Sequence, residues 1–287
     1  MRILGIDFTS SPSRVQPLWI AHASLTTGSS LPVLCVDRVE RHTSFLAFET
    51  LLADALGPCV LAIDAPFGLP MVFQEWARLP DRWETMIESI RAMGDRGFEQ
   101  LIVRFRTLQP EGSKHPLREC DLLAGAASPI NIVRPPVGKM FYQCAPRLAR
   151  TDWRVVPCRE SSSDRVAIEG YPALVARAMV GRLSYKGGND GAARLERGRV
   201  RELLLSRLLG EHGDDRLQSK YAMRCTLATA GERDVLLTDE DGDALDSVLC
   251  CVQASWAWMR REAGFGIAAR ACEVEGWITD PATMVLR

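Results

Sequence analysis

RILGIDF (residues 2–8) is the stretch on which the fold turns. It is short, apolar and rich in β-branched residues, and it closes on a carboxylate, Asp7, so it reads as a buried strand. The polar break TSSPSR follows. Two further strand-like runs, Leu18–Leu25 and Val33–Val39, are separated by TTGSSLP (26–32), a turn composition. Three strands joined by short connections imply an antiparallel meander. SFLAFETLLADAL (44–56) carries apolar residues at helical spacing and stops at Gly57-Pro58. CVLAID (59–64) is again a continuous apolar run that ends on a carboxylate, Asp64. The first and fourth strands therefore finish on Asp at what should be their C-terminal ends, the edge where chemistry collects in open α/β sheets.

The remainder is organised around that unit as one domain, 1–287. Residues 71–160 are irregular, with aromatic and arginine-rich helical pieces, and read as an insertion: a lid or a partner surface. RVAIEGYP (165–172) predicts a strand bearing Glu169, with a helix from about Ala173. A helix over about 192–209 bears Arg194, Arg197, Arg199, Arg201 and Arg207, and the last strong helix, about 241–262, opens with DEDGDALD (239–246).

Composition narrows the function. With 287 residues, 47% hydrophobic and 25% charged, the chain can bury a sizeable core and general disorder is excluded. The formal charge is −1, so no global field draws it to nucleic acid, and such binding needs a local patch. Of the 35 basic residues only Lys114, Lys139, Lys186 and Lys220 are lysines. The 9 cysteines are odd in number, scattered and without a C-x-x-C pair, and read as reduced buried hydrophobes rather than a zinc site or disulfide framework. No apolar run is long and uninterrupted enough for a membrane span. The start MRILGID enters a strand directly, which predicts no signal peptide and a cytoplasmic, soluble protein. His22, His42, His115 and His212 lack metal-ligand spacing, and neither G-x-S-x-G nor a Walker-type loop is present.

Asp7, Asp64, Glu169, Asp243 and Asp246 form a candidate catalytic and metal-ligating set. Two-metal phosphoryl chemistry needs several carboxylates converging from different elements. Asp243 and Asp246, at i and i+3, share a helix face and can aim at one ion. The plainer reading is that they merely decorate a helix N-terminus, and that Asp7 and Asp64 cap turns. Trp76 and Trp83 either stack bases or pack the core.

GIDFTSSP (5–12), AIDAPFGLP (62–70), the R-x-x-D of RECD (118–121), AIEGYPAL (167–174), SYK (184–186) and ERGRVRELLLSRL (196–208) carry a resemblance. It continues through DGDALDSVLCCVQASWAW (241–258) and EGWITDP (275–281). The chain resembles the ribonuclease H-like fold and, within it, an uncharacterised domain-of-unknown-function family of predicted nucleases. That resemblance implies an α/β fold with a mixed five-stranded sheet, order 3-2-1-4-5, flanked by helices. It further implies Mg²⁺ or Mn²⁺ at a two-metal site, with Asp7 bridging, Asp64 second, and Glu169 and Asp243 or Asp246 completing the set for phosphodiester hydrolysis. Lys186, Arg118, Arg197 and Arg201 are candidates to hold substrate phosphates, with Arg118 also able to pair with Asp121. The expected partner is nucleic acid, through a local basic patch, and no membrane. The alternatives are a phosphotransferase of the sugar- or acetate-kinase type, for which GIDFTSS resembles a first phosphate loop, and a non-catalytic binding module of the same fold.

Overall fold

The computed structural model describes residues 1–28, 31–54, 57–188 and 190–284. The opening run is β1 (Arg2–Asp7), followed by β2 (Leu18–Thr26), β3 (Val33–His42), α1 (Leu46–Ala53) and β4 (Cys59–Ile63). Positions 29–30 of the β2–β3 turn and 55–56 at the expected end of α1 lie outside the described residues. The segment read as an insertion holds α2 (Met71–Ala77), α3 (Trp83–Leu108), α4 (Glu119–Ala124), α5 (Val137–Ala149) and a short strand, β5 (Arg154–Val156). Then come β6 (Arg165–Glu169), α6 (Pro172–Val180), α7 (Gly191–Leu208), α8 (Arg216–Tyr221), β7 (Arg224–Leu227), α9 (Ala230–Thr238) and α10 (Asp243–Met259).

The sheet is mixed and has seven strands in the order β5-β6-β4-β1-β2-β3-β7, which corrects the expected five strands in order 3-2-1-4-5. The neighbour of β4 is β6, the sixth strand in sequence, and β5 lies outside it at the edge. At the other edge β7 adds in parallel to β3. Both edge strands are too short, at 3 and 4 residues, to show period-2 alternation in the sequence. β1, β4, β6 and β5 run parallel, so their C-terminal ends share one edge of the sheet.

Alternation along the strands builds a core on each face. Ile3, Ala21, Val60, Ala62 and Ile168 face α6, α7, α8 and α10. Leu4, Ile6, Ile20, Leu61, Ile63 and Ala167 face α1, α3 and α5. Trp83 belongs to this second core, its indole N–H donating to Phe67 O at 2.7 Å, and Trp76 packs against Phe73 and Phe105. Both tryptophans are thus packing residues. All nine cysteines are free, and all but Cys35 and Cys272 are buried. Among the described residues no helix is long and apolar enough to cross a membrane.

α10 is buried on every side from Ala244 to Ala257, as its nearly continuous apolar sequence requires. Its seat on β1 depends on Gly5: a Cβ there would lie 2.0 Å from Ser247 O and 2.7 Å from Cys251 N. Backbone meets backbone at that point, so nothing flexible can yield. Gly5→Ala is therefore expected to cost about 3 kcal/mol or more, at the upper end for overpacked cores, read as a lower midpoint in urea unfolding.

Candidate functional site

Asp7 lies two residues beyond Gly5 on the same face of β1, and α10 runs with its N-terminus at that end of the strand. The close approach at Gly5 therefore delivers the first turn of α10 to Asp7. Ligand oxygens of Asp7, Asp243 and Asp246 all lie within 4.8 Å of one another. The two helix carboxylates are not its cap: that role falls to Asp239, whose Oδ2 accepts the Ala244 N–H at 2.8 Å. Asp64 follows β4 directly. Its N–H donates to Ile6 O at 2.9 Å, and it lines the same cleft as Asp246 and Lys186.

One ammonium group stands among these carboxylates. Lys186 Nζ is 2.8 Å from Asp243 Oδ1 and 2.5 Å from Asp246 Oδ2. The other Asp246 oxygen accepts the Tyr185 hydroxyl at 2.5 Å. Burial and the nearby Asp243, Asp246 and Asp64 hold the Asp7 carboxyl well above the usual carboxylate range, opposed only by Lys186. Burial and Asp246 push Asp64 up to about 8. Burial works against the Lys186 ammonium, but Asp246, Asp7 and Asp243 outweigh it and keep the group charged.

A stability consequence follows for Asp64. A carboxyl whose folded pKa is raised binds its proton more tightly in the fold than in the unfolded chain, where the value is about 3.9. In metal-free buffer, the stability of wild type relative to Asp64→Asn is expected to fall as pH rises from about 4 to about 8. Urea midpoints of the two proteins across that range are the check, and a rising difference would refute it.

Glu169 does not join the cluster, and register gives the reason. Ile63 pairs with Ile6 on one side and with Glu169 on the other. Glu169 therefore shares the face of Ile63, while Asp7 and Asp64, one residue further along, take the opposite face. There both Glu169 oxygens are bound by Arg118, at 2.5 and 2.9 Å, and the second also accepts the Phe67 N–H. Arg118 donates its remaining hydrogen bonds to Asp121 and to Glu275 O. At 2% exposure and with its donors occupied, Arg118 is a structural cation and offers nothing to a substrate phosphate.

Arg197 and Arg201 both bond to the protein's own chain. Arg201 is buried and donates to Tyr185 O at 2.9 Å and Glu240 O at 3.1 Å. Arg197 donates to Ser184 Oγ and to Lys186 O. Together they fix the segment that carries Tyr185 and Lys186. The cations that line the cleft are others: Arg177 and Arg182, with Lys186, in a space of about 680 Å³ that also includes Asp64, Tyr171 and Asp246. Tyr185 and Tyr171 lie within the SYK and EGYP stretches but are not singled out there, and nothing in the sequence sets Arg177 and Arg182 apart from the other arginines. A second cavity, about 140 Å³, lies on the far side of Asp64, between Tyr171 and Arg118.

The donor set at this edge is entirely carboxylate oxygen, suited to a hard divalent cation, and its negative charge exceeds what one ammonium neutralises. An acidic cluster on such an edge, open to a cleft with three cations, can hold a divalent ion beside an anionic ligand.

The model of the family described as "Protein of unknown function (DUF429)" matches residues 5–267, and the chain belongs to that family. No curated protein and no solved structure matches it.

Proposed function

We propose that this member of the DUF429 family is a divalent-metal-dependent nuclease, hydrolysing phosphodiester bonds on a ribonuclease H-like sheet. The observation that carries the reading is the convergence of Asp7, Asp64, Asp243 and Asp246, from three elements, at one sheet edge beside a cleft containing Arg177, Arg182 and Lys186. The sheet supports it too: within the seven strands, β3-β2-β1 are antiparallel and β1-β4-β6 parallel, the arrangement of a ribonuclease H-like core.

Asp7 and Asp243, with Asp64 at the cleft and Asp246 beside them, are the carboxylates around which Mg²⁺ or Mn²⁺ would be held. Such an ion supplies Lewis acidity, which eases deprotonation of an attacking water and offsets charge developing on the phosphate. The protein's own part is positioning. Arg177 and Arg182 offer donors to phosphate oxygens. Lys186 balances the carboxylates so that an anion can approach them. The ring of Tyr171 walls the cleft at Asp64.

The direct test is a labelled panel of single strands, duplex, RNA–DNA hybrid and four-way junction incubated with Mn²⁺ and Mg²⁺, with Asp7→Asn purified in parallel. Cleavage by wild type alone is expected. Silence across the panel, or equal cleavage by the variant, would sink the nuclease reading. With a cleaved substrate in hand, Arg182→Ala is expected to raise KM about tenfold with kcat little changed, the loss of one charge-assisted phosphate contact. A fall in kcat at constant KM would remove Arg182 from ground-state binding.

A further inference from the structure

If the carboxylate edge is a metal centre, as proposed above, the number of ions it takes is set by Lys186. The hydrogen-bonding at the site is lopsided. Asp246 has both oxygens taken, one by Tyr185 and one by Lys186, and Asp243 gives Oδ1 to the same ammonium. Among the described residues no side chain or backbone N–H donates to the carboxylate of Asp7 or of Asp64. Asp7 stands in the cluster with Asp243 and Asp246, and Asp64 lines the cleft beside it.

The ammonium is also held there from behind. Arg201 fixes the carbonyl of Tyr185, Arg197 that of Lys186, and the Gly187 N–H donates to Glu240 O at 2.8 Å. Glu240 is three residues before Asp243, so the segment bearing Lys186 and the turn bearing the two helix carboxylates are tied into one piece. Gly242 leaves just enough room for this: a Cβ there would sit 3.0 Å from the Tyr185 ring. A lysine so anchored, with its charge on two carboxylates, occupies the place that a second ion would need.

We infer that Lys186 is a built-in replacement for one of two cations, and that the centre takes a single divalent ion, beside Asp7. The ammonium, with the Tyr185 hydroxyl, occupies both oxygens of Asp246 but only Oδ1 of Asp243. Asp246 then serves the site through Lys186, Asp243 keeps one oxygen for the ion beside Asp7, and the two-ion arrangement expected for this fold is reduced to one ion and one lysine.

Calorimetric titration of the full chain with Mn²⁺ tests this without reference to activity. Wild type is expected to bind one ion and Lys186→Met two, the second on the carboxylates the lysine vacated. In parallel, reductive methylation of wild type, read by mass spectrometry, should proceed at Lys186 at the same slow rate with and without Mn²⁺, with Lys114, Lys139 and Lys220 as internal references. This arm needs no variant and stands if Lys186→Met fails to fold. Two ions in wild type, one ion in Lys186→Met, or methylation of Lys186 accelerated severalfold by Mn²⁺ would each overturn the inference while leaving a metal centre in place. No ion bound by either protein would remove the metal centre itself, and this inference with it.

Discussion

Asp7→Asn is expected to lower the rate of phosphodiester cleavage roughly a thousandfold, the scale of losing a central electrostatic contributor to a transition state. Its folded state should meanwhile become firmer in metal-free buffer. Both effects come from one cause. Asp7 is buried among Asp243, Asp246 and Asp64, and its carboxyl is held well above its usual range by burial and by those like charges. Its ionised form is a burden on the fold. Asparagine keeps the shape and removes the charge, so the urea midpoint should rise while any stabilisation by Mn²⁺ disappears. Rate and midpoint measured on one preparation make the check. A variant that cleaves as fast as wild type would remove Asp7 from the chemistry.

Arg118→Met is expected to destabilise the fold by about 3–5 kcal/mol, the cost of removing one partner of a buried ion cluster. The methionine approximates the arginine stem but leaves Asp121 and Glu169 facing each other at 1% and 2% exposure without their shared cation. It also frees Glu275 O and loosens Glu169, which anchors the Phe67 N–H. The turn after Asp64 would thus lose a support. Denaturant unfolding reads the effect directly. A variant of wild-type stability that had lost only substrate affinity would restore Arg118 to the ligand-binding role that its burial argues against.

Arg118 also marks the boundary of what the sequence discloses. An apolar run that ends in a carboxylate is a strong local signal, because burying that charge needs a compensating partner, and β1 and β4 with Asp7 and Asp64 were legible for that reason. The first turn of α10 was legible by helical spacing. Glu169 carried the same signal as Asp64, but which face it takes depends on a one-residue difference in strand register, which no local pattern encodes. The edge strands β5 and β7 are too short to announce themselves, so nothing in the sequence corrects the five-stranded sheet that the resemblance implies. The arginines of α7 were visible as charge, but a side chain's direction depends on what it packs against. Arg201 turned inward to carbonyls while Arg177, on a helix with no such concentration, lines the cleft.

The burial of α10 on all sides has a consequence for timescale. Amide hydrogens in a helix surrounded by core exchange with solvent only when the whole domain opens, so the residues of α10 beyond its first turn are expected in the slowest-exchanging part of the chain. Arg182 is an exposed side chain on the nanosecond timescale of rotamer exchange, whereas Arg177 is held by Ala124 O and lies over the Tyr171 ring. Charge at this edge is thereby divided: Asp246, buried and bound on both oxygens, stays fixed, and Arg182 is the cation with room to move.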